Sequence, residues 1–267
     1  MKDLLRTSDL SAVDLALLLD RSDAIKREPY RGPMRGETIE DTARVASRYA
    51  RAWVMRATRH ASVERFARAA TIPVVNALTD RHHPCQSLAD LMTMRERLGT
   101  LAGKSVAYVG AGNNVAHDLV VGAALAGMHV RVASPRAYAI DPGVGDRASA
   151  IARATGGSVT LVEDPREAVS GADAVYTDVW TSMADDPDTV QARRAALEPY
   201  RVDAALMARA APEAMFLHCL PCRRGEEVTA EVVDGPQAVV VAQAENRLHT
   251  AVAVLETLLR LELRGAT

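Results

Sequence analysis

Aromatic residues make up only 4% of this 267-residue chain, and there are three cysteines. With so few rings, any core must be built mainly of Ala, Val and Leu. Three cysteines do not make a disulfide framework in a chain of this size. No apolar run approaches the roughly 18–20 residues needed to cross a bilayer. The opening MKDLLRTSDLSAVDLALLLD has no basic leader region, which argues against a secretory signal and makes a cytoplasmic location the default expectation. Net charge is -2 with no block of like charges, so neither nucleic acid nor a membrane surface is an expected partner.

What is present is ordinary for a globular protein: 48% hydrophobic and 25% charged residues. From residue 8 to 25 the apolar residues recur at three and four, predicting a helix. A Pro/Gly loop, REPYRGPMRGET, leads to a second helix over 38–51. The first part of the chain then reads as strand 52–57, helix 62–70, strand 72–78 and helix 88–98. After Gly99–Gly103 come strand 105–109, helix 114–126, strand 128–133, helix 145–155, strand 158–162, helix 165–169 and strand 173–177. A long loop over 181–200, helix 203–210, strands 214–218 and 238–241, and a last helix 245–263 complete the pattern.

Alternating strands and helices with short links predict an α/β protein with two doubly wound parallel-sheet lobes. The boundaries expected are 1–100 and 101–244, with helix 245–263 crossing back to the first lobe. The first lobe is thin, with two convincing strands where sheets commonly have about four to six.

Several stretches carry chemistry. YVGAGNNVAHD (108–118) follows a strand and opens a helix, as a dinucleotide fingerprint does. Its third glycine position is Val115, and the next strand ends in Ala133–Ser134–Pro135 without a ribose-binding acid, which disfavours an NAD(P)-dependent oxidoreductase. Helix N–H groups with Asn113 and Asn114 suit a substrate carboxylate better. DVWTSM (178–183) leaves the end of a strand, where Asp178 can hold an ammonium with help from Ser182. TDRHHPCQSLADL (79–91) packs His82, His83, Cys85 and Gln86 around one turn, though Pro84 disturbs zinc-ligand spacing.

FLHCLPCRRGEEV (216–228) contains a C-x-x-C pair, Cys219 and Cys222, open to metal, redox or substrate-handling readings. A zinc site would require Cys85 and His83 to join these two cysteines. AENRLH (244–249) places Arg247 in the expected first turn of the last helix, where a cation opposes the helix dipole and so calls for an anion.

In order along the chain, EDTARVASRYA, VMR, HPCQSLADL, VGAGNNVAH, YTDVWTSM, FLHCLPCRRGEEVT and QAENRLH resemble the aspartate/ornithine carbamoyltransferase family, in its ornithine transcarbamylase group. The resemblance implies carbamoyl transfer from carbamoyl phosphate to an amine, with no metal or other cofactor. It implies that Asn114, Asp178, Ser182 and Met183 bind the amino acid's carboxylate and α-ammonium. Cys219 and Leu220 would lie beside the attacking amine. Arg56, His83 and Gln86 would hold the carbamoyl oxygen, and Arg247 would face carbamoyl phosphate. It also implies an oligomer: a trimer, or a hetero-oligomer with a full-length relative.

The chain departs from the family pattern in one large respect. The Ser-Thr-Arg-Thr-Arg type loop that grips the phosphate, with its flanking strands and helix, is missing between the first helix and EDTARV. Smaller departures are Ala184, Ala111, Asp118 and Cys222, and the absence near Gly32 of the Gln or His that reaches a neighbouring subunit. A divergent enzyme acting on ornithine or a related amino acid, with carbamoyl-phosphate use impaired or replaced, is the expectation. The alternative is a non-catalytic ornithine-binding or regulatory subunit completed by a partner chain.

Overall fold

A computed structural model describes residues 38–181 and 187–265. The helix expected over 8–25, the loop after it with Arg31 and Arg35, and the site residues Ser182 and Met183 lie outside the described residues.

The first lobe opens with α1 (Ile39–Tyr49), capped by Thr38, whose side chain accepts from the Asp41 amide. It continues through β1 (Trp53–Arg56), α2 (His60–Ala69), β2 (Val74–Leu78) and α3 (Pro84–Leu98). β1 and β2 pair in parallel as a two-stranded sheet. Its buried core is small: Ala43, Ala46 and Phe66, with Trp53 stacked on Phe66 at 5.7 Å between ring centroids. α3 begins at Pro84, four residues before the expected start, because proline's missing N–H costs nothing at a first helical position.

The second lobe is fuller. β3 (Ser105–Val109), α4 (Asn114–Leu125), β4 (His129–Ala133), α5 (Pro142–Thr155), β5 (Ser158–Val162), α6 (Pro165–Val169), β6 (Ala174–Tyr176), α7 (Pro187–Leu197), α8 (Ala204–Met207), β7 (Met215–Leu217) and α9 (Ala230–Val233) follow in order. The five strands run β5-β4-β3-β6-β7, all parallel. Both faces are buried along β3, β6 and β7, as parallel sheets require, while the edge strand β5 is largely exposed. Along β3, Val106 and Tyr108 enter one core, while Ala107 and Val109 enter the other. Burial on both faces explains why this segment reads as an unbroken apolar run.

Two expectations are corrected. The stretch 181–200 is not one long loop, since α7 and a 3-10 turn over Glu198–Tyr200 occupy most of what is described there. The strand expected over 238–241 is a single bridge, Phe216 to Ala238, after which α10 (Val240–Gly265) begins. Val239 and Val240 are buried while Val241 is exposed, and a short apolar run does not separate helix from strand.

α10 is the crossing helix, and it docks on α3. Gln243 donates to Asp90 at 2.6 Å, and the Asn246 amide donates to Thr93 Oγ1 at 3.0 Å and Glu96 at 2.8 Å. Among the described residues, no helix is long and apolar enough to cross a membrane.

Candidate active site

The strand order reverses between β3 and β6, and the crevice beyond their carboxyl ends is where an open α/β sheet binds ligands. Thr177 pins that edge by donating to the Val109 carbonyl at 2.7 Å. The next residue, Asp178, is buried. One carboxylate oxygen accepts from the Asn113 amide at 2.6 Å, and the other accepts from the Cys219 thiol at 3.2 Å. Asn113 is itself held, because its side-chain oxygen caps α4 by accepting from the Val115 and Ala116 amides. β3, β6 and β7 thus each deliver one member of an Asn113–Asp178–Cys219 cluster. The sequence offered Asn113 as a donor for a substrate carboxylate; its side chain instead caps α4 and donates to Asp178.

The cluster answers the metal and redox readings of FLHCLPC. Burial, and then the neighbouring Asp178 carboxylate, push the Cys219 thiol well above its ordinary value, so it remains a protonated donor. Burial also raises Cys222. A redox C-x-x-C pair needs the opposite, an easily formed thiolate. The four side chains a zinc site would need are not brought together. Among the described residues, the grouping with potential ligand atoms within 4.8 Å of one another is Asp178, His218 and Cys219. There, both His218 ring nitrogens are engaged, one by the Leu220 amide at 2.9 Å and one by Glu227 at 3.2 Å. Cys85 is buried, with its sulfur on the Asn76 carbonyl.

His218 and Glu227 shape the turn after β7. Glu227 also accepts from the Arg223 amide at 2.6 Å, closing the turn across five residues. Leu220 sits at φ 55°, a left-handed conformation uncommon for a residue with a Cβ. It is 36% exposed, so its apolar side chain stands at the surface beside Cys219.

The first lobe contributes a second group. His83, just ahead of α3, is pushed down to about 4, first by burial and then by the Arg247 and Arg56 charges. It is therefore a neutral imidazole near neutral pH, flanked by two cations. One Arg247 guanidinium nitrogen and His83 Nδ1 are both buried without a partner among the described residues. Arg247 does not lie in the first turn of its helix as expected: α10 begins seven residues earlier, so the helix-dipole argument does not apply. The unpartnered nitrogen makes the case for an anion instead.

Between the two groups lies Asp90, buried and reached by three donors on three elements: Gln86, Gln243 and the Tyr176 hydroxyl at 2.8, 2.6 and 3.3 Å. Burial pushes its carboxyl up to about 7, against the pull of those three donors and Arg247. Gln86 is thus tied to Asp90. Asn114 donates its amide to the Thr79 carbonyl at 2.7 Å, bridging the lobes. Asp90, Tyr176, Gln243, His218 and Glu227 went unrecognised in the sequence because their importance depends on contacts between distant segments.

The Gly110 and Gly112 pair does not serve a dinucleotide here. Gly112 donates to the Tyr138 carbonyl at 2.7 Å, and a Cβ on it would strike the Ala139–Ile140 backbone. That chain fills the space in front of the loop.

The fold is a two-lobed α/β architecture whose candidate site residues gather at the carboxyl edges of its parallel sheets. Residues 102–258 match the aspartate/ornithine carbamoyltransferase Asp/Orn binding domain, and residues 31–96 match the carbamoyl-P binding domain of the same family. An ornithine carbamoyltransferase of Acidothermus cellulolyticus is 57% identical over 225 residues, covering 84% of this chain and 72% of that relative. The solved ornithine carbamoyltransferase of Pyrococcus furiosus superposes with a TM-score of 0.80 at 50% identity, covering 82% of this chain and 70% of its own. That of Gloeobacter violaceus gives 0.78 at 41% identity, covering 97% and 99%. The chain belongs to the aspartate/ornithine carbamoyltransferase family and is a transferase.

Proposed function

We propose that this chain transfers a carbamoyl group to the side-chain amine of ornithine or a close relative, with a weakened hold on carbamoyl phosphate. The observation that carries the reading is the pairing of two half-sites: Asp178 with Asn113 and Cys219 on one lobe, and neutral His83 with Arg56 and Arg247 on the other. The names of the relatives agree with this reading.

In this reading Asp178 takes the α-ammonium, and Ser182 and Met183 belong to the same half-site. Cys219 and Leu220 flank the side-chain amine. The amine attacks the carbamoyl carbon, forming a C–N bond. Arg56 and the His83 N–H stabilise the oxygen on which charge develops, as fixed donors do in an oxyanion hole. The C–O bond to phosphate then breaks, and the phosphate leaves with the proton the amine has lost. Arg247 faces the phosphate.

The weakened hold follows from the sequence, which contains no Ser-Thr-Arg-Thr-Arg segment. Hydrogen bonds to charged groups contribute about 1.5–3 kcal/mol each. Losing three or four costs roughly 5–10 kcal/mol of phosphate binding, about 10⁴-fold or more in affinity.

Calorimetry with ornithine and carbamoyl phosphate separately, followed by a colorimetric citrulline assay, tests both halves of the proposal. Ornithine should bind at millimolar concentrations or below, and citrulline should form slowly. Absence of ornithine binding refutes the substrate assignment. A rate equal to that of full-length relatives refutes the weakened hold.

A further inference from the structure

Asp118 departs from the family motif, and the structure gives it work. It lies on α4 with Asn114 and His117, at the spacing that puts three side chains on one helix face. That face grips the turn over residues 79–83 of the other lobe. Asn114 donates to the Thr79 carbonyl at 2.7 Å. His117 donates through Nδ1 to the Arg81 carbonyl at 3.1 Å, its Nε2 being the acceptor for the Asp141 amide. Asp118 makes the two contacts nearest the site: one oxygen pairs with the His82 ring at 2.9 Å, and the other accepts from the His83 backbone amide at 2.5 Å. Its own carbonyl accepts from Ser87 at 2.8 Å, holding the first turn of α3 as well.

We infer that Asp118 is a positioning residue for His83, fixing from the second lobe the turn that presents the His83 imidazole to the cleft. The carboxylate touches the backbone of His83 and the ring of its neighbour, not the His83 ring. Its effect on that ring therefore runs through geometry. Without it, the acceptor for the His83 N–H and the hydrogen bond on the His82 ring disappear together, and the end of the turn nearest the site loosens while Asn114 and His117 still hold its start.

The His83 titration separates placement from charge. Burial is the main cause of its low value of about 4, and Arg56 on β1 and Arg247 on α10 add to it. If Asp118 acted only as a nearby negative charge, removing it would lower the value further. If Asp118 holds the ring in place, removing it exposes the imidazole and raises the value toward 6.5.

The experiment is proton–nitrogen NMR titration of the histidine rings in the full chain, with His83→Gln assigning the signal. Asp118→Ser should move His83 upward from about 4, and His82→Ala, which removes one of the two ties, should move it less in the same direction. A His83 value that stays near 4 or falls overturns the inference. Should Asp118→Ser fail to fold, the His82→Ala titration decides, and no upward shift there overturns it.

A kinetic arm rests on the function proposed above. Asp118→Ser should lower kcat for citrulline formation on the order of tenfold, as small misplacements of a catalytic group do, with KM for ornithine unchanged. A higher KM with unchanged kcat overturns the inference. If the unaltered chain forms no citrulline, the proposed function fails, and the titration alone decides the role of Asp118.

Discussion

The two lobes solve the same packing problem with unequal means. The second encloses a five-stranded sheet between two continuous cores that include Tyr108, Tyr176 and Phe216. Among the described residues, the first has two paired strands over a core of Ala43, Ala46 and Phe66. Yet the first lobe supplies His83 and Arg56, the two side chains that the proposed mechanism needs held in place. The difference teaches that the first lobe's order is borrowed. α4 grips its 79–83 turn, and α10, which follows the second lobe in the chain, docks along α3.

The largest expected effect tests that borrowing. Phe66→Ala removes the one large fully buried side chain of the small core, on which Trp53 stacks, and should cost about 3–5 kcal/mol. Hydrogen exchange should show protection lost across α1, β1 and α2 while β3 to β7 stay protected. Equal loss in both lobes would show that they unfold as one unit.

Next is the division of labour. Asp178→Ala should weaken ornithine binding by about 1.5–3 kcal/mol, tenfold or more, by calorimetry, and leave carbamoyl phosphate binding unchanged. A matching loss for both ligands would break the assignment of one half-site to each lobe.

Asp90 joins the lobes and titrates. Its folded value near 7 lies above its ordinary 3.8, so the folded protein binds the proton more tightly than the unfolded chain. Its contribution is therefore fully present below about pH 4 and declines as pH rises through 7. Asp90→Asn, which keeps an acceptor for Gln86 and Gln243, should flatten that decline. Urea unfolding at pH 5 and pH 8 should find the variant more stable than the parent at the higher pH, by about 1–3 kcal/mol. A parent that is more stable at pH 8 than the variant would mean that Asp90 is held by charge.

The smallest effect belongs to the surface of the thin lobe. Arg65 pairs with Glu40 through two hydrogen bonds of 2.8 Å, but the pair is solvent-exposed. Arg65→Ala should leave the unfolding midpoint within experimental error, since screened pairs contribute little.

Much of the second lobe was legible in the sequence because its signals are local. Strands 105–109 and 158–162 and helix 165–169 have their expected ends, set by Gly/Pro punctuation and unbroken apolar runs. α10 was misplaced at its start because VVVA is apolar throughout, its exposed Val241 included, which erases the periodicity that distinguishes helix from strand. Within the site, Asp178, Cys219 and His83 could be found because each leaves the end of a strand. Asn113 was offered as a donor and Asp118 noted as a departure, but the partners of Asp118 and the whole role of Asp90 could not be read: Asp90 meets Gln243 from 153 residues away, and Asp118 meets His82 from 36. Spacing along the chain carries no trace of such pairings.

Among the described residues the backbone passes between the lobes twice, through Gly99 to Gly103 and again where α10 begins after Val239. Away from those crossings the lobes are also fastened by Asn114 to Thr79, Asp118 to His83 and Gln243 to Asp90. Bringing the half-sites closer would therefore have to strain or exchange these side-chain bonds as well as bend the connecting backbone, so the clasp and the site are made of the same residues.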